Sequence, residues 1–185
     1  MAERTLRRAV FLDRDGTLNV DTGYVARPED VQLIAQAAQG AKRLTDAGYA
    51  LVIASNQSGI ARGMITAAQA DAVDARLLDL LRDHRVAVAA AYRCPHLPGG
   101  SVAEYAIECD CRKPKPGLLL RAARDLGLDL AASWTVGDSP RDVEAGLAAG
   151  TRAVLISPDG AEHNEGSTAR ATDLLEAARI IVEDS

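Results

Sequence analysis

The sequence predicts an α/β fold: a parallel sheet covered by helices on both faces. Two observations carry this. Short apolar runs alternate along the chain with longer segments whose apolar residues recur at helical spacing, and such alternation argues for parallel strands joined by helical crossovers. Asp13, Ser55 and Asp138 each stand where one of the apolar runs ends. In parallel α/β sheets ligands bind in the crevice beyond the carboxyl ends of the strands, so one crevice gathers all three.

Taken in order, Ala9 to Leu12 (AVFL) reads as a buried strand that runs out at Asp13. Ala37 to Ala47 is helical, with Gly48 as its stop signal. Ala50 to Ala54 (ALVIA) is a second buried strand, ending at Ser55. Between Thr66 and Arg82, residues Ala70, Val73, Leu77, Leu78 and Leu81 keep helical spacing behind Thr66 as the cap. Val86 to Tyr92 is a third strand, and residues 93–117, rich in Pro, Gly and Cys, read as a loop. Leu118 to Leu126 is a helix closed by Gly127, and Ser133 to Val136 is a strand ending at Gly137-Asp138. Val143 to Ala149 is a helix stopped by Gly150, Ala153 to Ile156 a last strand, and Ala171 to Val182 a terminal helix. With no repeat, linker or low-complexity tract, the expectation is one Rossmann-like domain over residues 1–185.

Composition narrows the function classes. At 185 residues the chain can bury a substantial core, and a content of 48% hydrophobic and 25% charged residues is that of a globular protein. The net charge of -5 gives no general attraction to nucleic acid or to acidic membranes. No apolar run reaches the roughly 18 residues of a membrane-spanning helix. The opening MAERTLRRAVFLD lacks the apolar stretch and cleavage site of a secretory signal. These features point to a cytoplasmic, soluble, single-domain protein with neither nucleic acid nor membrane as partner; a monomer is expected, though no sequence feature sets the oligomeric state. His84 and His163 are expected on the surface, and Trp134 in the sheet.

The stretch FLDRDGTLN sets Asp13 and Asp15 two residues apart, with Gly16 letting the backbone turn sharply. Alone, the string equally describes an Asx turn or a fragment of a calcium loop. Three further pieces follow in order. SNQSG at 55–59 supplies a hydroxyl and an amide, RKPKPG at 112–117 supplies Lys113, and VGDSPRD at 136–142 supplies Asp138 and Asp142.

Together the four pieces resemble the signature of the haloacid dehalogenase superfamily of phosphatases, over roughly Val10 to Ile156. The resemblance implies that Asp13 is the nucleophile that accepts the phosphoryl group and that Asp15 is the general acid and base. It implies that Ser55 binds phosphoryl oxygens and that Lys113 neutralises the nucleophile and the phosphate. Mg²⁺ would be held by the Asp13 carboxylate, the Asp15 main-chain carbonyl and the Asp138 carboxylate. Asp142 would orient Lys113 or a metal-bound water. Crowded with other acids, Asp15 is expected to enter the cycle protonated.

All three cysteines of the chain fall in CPHLPGGSVAEYAIECDC. Cys94 and His96 form one close pair, Cys109 and Cys111 another. Three thiolates and an imidazole complete a tetrahedral set for structural Zn²⁺ with no position left for chemistry; free thiols beside a surface histidine are the alternative. The second pair directly precedes Arg112-Lys113, so a metal there would fix the loop that carries the lysine.

Neither interval between the signature pieces has room for a separate cap domain. Lidless, zinc-carrying members of the superfamily include the D-glycero-D-manno-heptose 1,7-bisphosphate phosphatases and the histidinol-phosphate phosphatases. The runs FLDRDGTLNVDTGYV, SNQSGIARG, CPHLPGGSVAEY and CDCRKPKPG resemble the first group more closely. That resemblance implies loss of the position-7 phosphate of a heptose bisphosphate. A bisphosphate requires a second cationic subsite, for which Arg62, Arg112 and Lys115 are candidates, with Arg14 and Arg141 in the catalytic loops. Asn19, Asn56 and Tyr24 are further candidates for contact with the substrate. Histidinol phosphate as substrate, a non-enzymatic zinc module and a phosphotransferase are the competing readings.

Overall fold

The computed structural model describes residues 6–158 and 166–184; His163 lies outside them. Six strands form one sheet: β1 (Ala9–Leu12), β2 (Ala50–Asn56), β3 (Val88–Cys94), β4 (Trp134–Gly137), β5 (Arg152–Ile156) and β6 (Ala169–Ala171). Their order across the sheet is β3-β2-β1-β4-β5-β6, and every pairing is parallel. The chain moves outward from β1 to one edge and then returns to the other side of it. The switch point of the topology therefore lies at β1, between β2 and β4, where ligands collect in sheets of this kind.

Strand alternation divides the core in two. Val10, Leu12, Leu51 and Ile53 pack on one face with α1 (Ala37–Asp46), α2 (Ala67–Asp83) and α5 (Leu174–Glu183). Ala9, Phe11, Ala50 and Val52 pack on the other with α3 (Gly117–Leu126), while Val143 of α4 (Pro140–Ala149) meets Ala153 and Leu155 of β5. Both faces of β1 and most of β2 are thus buried, which is why these strands read as unbroken apolar runs. Trp134 is buried in β4, with the Arg152 guanidinium 3.9 Å from its ring centre. Thr66 caps α2 through a reciprocal pair with Gln69.

Two differences from the sequence expectation stand out. The terminal helix begins at Leu174 rather than Ala171, because Ala169–Ala171 forms the short edge strand β6. Three residues flanked by Thr168 and Thr172 carry no periodic apolar signal. Strand β3 runs to Cys94, two residues past the expected end, and this places the first cysteine beside the end of β2. No described helix is long and apolar enough to cross a membrane.

The interval between β1 and α1 holds a loop and the 3₁₀ turn Pro28–Asp30, and it is pinned to the core by buried Leu18, Val25 and Val31. The sheet's carboxyl edge is consequently uncovered except by such loops.

Candidate active site

A cleft of about 520 Å³ opens at the switch point. Asp13 leaves β1 with its N–H on the Val136 carbonyl of β4, 2.9 Å away. Asp138 follows β4, and Asn56, Gln57 and Ser58 enter the cleft from the end of β2. Lys113 arrives from the loop before α3 and is only 3% exposed.

Lys113 is the most constrained charge in the site. Its Nζ lies 2.7 Å from Asp13 Oδ1 and 2.6 Å from Asp142 Oδ1, and it donates to the Ala54 carbonyl at 2.6 Å. Asn56 clamps the backbone beneath it: Nδ2 donates to the Lys113 carbonyl at 2.9 Å, and Oδ1 accepts the Lys113 N–H at 3.0 Å. Burial works against the ammonium charge, but Asp13 and Asp142 outweigh it and hold Lys113 above the ordinary lysine range. Asp142 can reach Lys113 because Gly137 has no side chain; a Cβ there would lie 2.3 Å from the Asp142 Cβ. The other Asp142 oxygen accepts the Ser139 N–H at 3.1 Å and caps α4.

The acids of the cleft outnumber its cations. Asp13, Asp15, Asp21, Asp138 and Asp142 line it against only Lys113 and Arg141. Burial, only partly offset by Lys113, pushes the Asp13 carboxyl up to about 7. Burial and then Asp142 push Asp138 up to about 6. Such a site calls for a cation. Asp13, Asp138 and Asp142 each offer an oxygen within 4.8 Å of the others. Gly16, at φ +78°, brings the first loop against them, so closely that a Cβ would lie 1.9 Å from Asp138 Oδ2. Hard carboxylate oxygens beside a backbone loop suit Mg²⁺. With Asp142 already committed to Lys113 and the Ser139 amide, Asp13 and Asp138 are the carboxylates left for it.

Asp15 lines the same cleft but is held differently. Its Oδ1 accepts from Arg14 Nε at 3.2 Å and Asn19 Nδ2 at 2.9 Å; its Oδ2 accepts from Arg14 Nη2 at 2.9 Å and Gln57 Nε2 at 2.8 Å. Gln57 Nε2 also donates to Ser55 Oγ at 2.6 Å, linking the buried hydroxyl to this set.

Several sequence candidates are placed elsewhere. Asn19 is 1% exposed and faces Asp15; Asn56 does line the cleft, with its amide paired to the Lys113 backbone. Arg14, also 1% exposed, is turned away from the cleft. Exposed Arg62 and half-buried Arg112 do not line it; Arg112 Nη1 donates to the His96 carbonyl at 3.2 Å. Lys115 reaches the Cys109 carbonyl at 3.0 Å and Glu108 at 3.5 Å. Tyr24 and Arg141 do line the cleft. Gln57, Asp74 and Arg93 were not singled out from the sequence. For Gln57 a signal existed, its position two residues beyond Ser55.

Beside the cleft, Cys94, His96, Cys109 and Cys111 turn their ligand atoms toward one point. The Sγ atoms of Cys94 and Cys111 lie 3.6 and 3.4 Å from Cys109 Sγ, and His96 Nδ1 lies 3.7 and 3.3 Å from Cys94 and Cys111. Those separations exceed a disulfide bond by far. They approach the roughly 3.5–3.8 Å edges of a tetrahedron drawn with Zn–S and Zn–N bond lengths. Burial raises the Cys94 and Cys111 thiols above the ordinary cysteine range, so a cation is needed to make thiolates of them.

Fold and site together define the class: a hydrolase of the haloacid dehalogenase type, with its carboxylates and lysine at the ends of parallel strands. A family model described as "HAD-hyrolase-like" matches residues 110–178. The curated D-glycero-beta-D-manno-heptose-1,7-bisphosphate 7-phosphatase of Yersinia pestis is 47% identical over 149 residues, covering 80% of this chain and 79% of the relative. Its namesake from Haemophilus ducreyi is 43% identical over 155 residues, covering 83% of this chain and 85% of the relative. A solved D,D-heptose 1,7-bisphosphate phosphatase from B. bronchiseptica, complexed with magnesium and phosphate, superposes with a TM-score of 0.82 at 32% identity, over 96% of this chain and 99% of that one. The chain belongs to the haloacid dehalogenase superfamily of phosphatases, in the family of these relatives.

Proposed function

We propose that the chain is a Mg²⁺-dependent phosphomonoesterase that removes the position-7 phosphate of D-glycero-β-D-manno-heptose 1,7-bisphosphate and leaves heptose 1-phosphate. The observation that carries this is the Asp13–Lys113–Asp142 arrangement beside Asp138 at the sheet's switch point, in a chain 47% identical to a relative named for that reaction. Asp13, Asp138 and the Asp15 carbonyl would hold Mg²⁺, which when bound would supply positive charge to the phosphoryl oxygens. Lys113 fixes Asp13 and offsets the charge around it. Asp13 attacks phosphorus; as the ester P–O bond breaks, Asp15 gives its proton to the departing alkoxide. Water then attacks the aspartyl phosphate, Asp15 takes the water's proton, and Asp13 is restored. Ser55, expected from the sequence to bind phosphoryl oxygens, is 3% exposed and does not line the cleft; it accepts from Gln57, which does line it.

Zn²⁺ in the Cys94, His96, Cys109 and Cys111 set would have a structural role, bracing the loop that leads into Lys113. Ordinary cysteine chemistry supports a reducing cytoplasm, where thiols stay available to metal. Residues 1–185 act as one catalytic domain that works as a monomer. For the second phosphate, Arg141 is the cation of the cleft that remains after Lys113 is committed to Asp13 and Asp142. Phosphate release should be measured on the heptose bisphosphate (both anomers) and histidinol phosphate, with Mg²⁺ and after chelation. A heptose bisphosphate preference of at least about tenfold in kcat/KM, abolished by chelation, is expected. Preference for histidinol phosphate would overturn the substrate assignment, and release undiminished by chelation the metal assignment.

A further inference from the structure

Arg14 sits between the two acids of the first loop in sequence, yet only 1% of it is exposed. A buried guanidinium needs acceptors for its fork of N–H groups and a counter-charge. Asp15 supplies both through its two oxygens, at 3.2 Å from Nε and 2.9 Å from Nη2, the paired geometry that an ammonium cannot copy. Arg14 Nη2 also reaches Gln57 Oε1 at 3.0 Å. At the far end of the fork, Nη1 donates to Asp74 Oδ1 of α2 at 2.7 Å. Asp74 Oδ2 in turn accepts from Arg93 Nη1 of β3 at 2.7 Å. A chain of alternating charges therefore runs from the cleft wall into elements that supply no other group to the site.

Asp13 has no comparable brace, since its side chain meets Lys113 alone among the described side chains. The difference matches the two tasks. A nucleophile beside its target needs a counter-charge, whereas a proton donor must keep its oxygen on the line to the leaving group. Misplacement by about 1 Å can cost roughly 10²-fold.

We propose that Arg14, braced by Asp74, is the positioning residue that fixes the Asp15 carboxyl for proton transfer. Buried and outside the cleft lining, Arg14 does not reach the substrate; it acts through the Asp15 carboxyl. The proposal rests on the proton-transfer role assigned to Asp15 above.

The test compares kcat/KM for the heptose bisphosphate with that for p-nitrophenyl phosphate. The alkoxide of the sugar needs a proton as it leaves; the nitrophenolate does not. Because kcat/KM ends with phosphoryl transfer to Asp13, hydrolysis of the intermediate does not enter. Arg14→Lys, which keeps the charge and loses the fork, is expected to lower the sugar value about 100-fold and the aryl value less than about fivefold. Asp74→Asn leaves Arg14 in place and is expected to show the same selectivity at about tenfold on the sugar. On an Asp15→Asn background, Arg14→Lys should add no further selective loss.

Equal losses on both esters, or none, in Arg14→Lys and Asp74→Asn overturn the proposal. Should Arg14→Lys fail to fold, Asp74→Asn decides. If Asp15→Asn is itself unselective between the esters, the proton-transfer role of Asp15 is wrong and the proposal falls with it. A selective Asp15→Asn beside unselective Arg14→Lys and Asp74→Asn refutes the positioning role alone.

Discussion

The strand-end cleft and the Cys/His loop meet at Cys111 and Lys113, two residues apart, yet they hold their polar groups in opposite ways. In the loop, four ligand atoms from residues 94–111 face one another and leave no open position. In the cleft, side chains from β1, β2, β4 and the loop before α3 converge with more acid than base. One bound metal would complete the loop. The cleft holds more acid than base, and burial, with Asp142 adding to it, raises Asp13 to about 7 and Asp138 to about 6. Local sequence closes a structural site; the sheet's topology assembles a reactive one.

The sharpest way to break that contrast is Asp13→Asn. Phosphate release is expected to fall by more than about 10³-fold, with the circular dichroism spectrum unchanged, because the role proposed for the carboxylate is covalent chemistry rather than packing. Retention of more than a few per cent of activity would remove the nucleophile assignment. Next in size is Cys109→Ser. If the set holds zinc as proposed, the change should lower zinc content, lower Tm by about 10 °C and cut activity about 100-fold through a displaced Lys113. Metal analysis with a melt checks both, and a zinc-free protein with unaltered Tm and activity would contradict the bracing role.

Arg141→Ala is expected to raise KM for the bisphosphate about tenfold while sparing a simple monophosphate ester. A larger effect from Arg62→Ala or Arg112→Ala would put the second phosphate elsewhere. The smallest effect concerns protons. Both raised carboxyls keep protons that the unfolded chain has released, so metal-free stability contributed by them is present below about pH 4 and is lost as pH rises through about 7. Mg²⁺ binding should expel protons at about pH 6 and almost none above about pH 8.5. Calorimetric titration in buffers of different ionisation heat counts them, and equal release at both values would contradict the raised carboxyls.

Much of this arrangement was legible in the chain. AVFL and ALVIA are buried on both faces and carry the signal of parallel strands; Asp13 directly follows β1 and Asp138 follows β4, whereas Ser55 lies one residue inside the end of β2. What stayed hidden depended on side-chain direction. Arg14 reads as a cation near the substrate until its neighbours are known, because a fork facing Asp74 and Asp15 leaves no trace in spacing. Asn19 and Asn56 read as substrate contacts for the same reason, whereas their amides serve Asp15 and Lys113. Strand β6 was invisible because three residues at a sheet edge need no apolar alternation to pair.

The most direct measurement is ³¹P NMR of the reaction product from D-glycero-β-D-manno-heptose 1,7-bisphosphate with Mg²⁺. Loss of the position-7 resonance, growth of inorganic phosphate and a retained anomeric phosphate signal are expected. Loss of the anomeric phosphate, or a sugar that keeps both while Mg²⁺ is present, would contradict the proposed function.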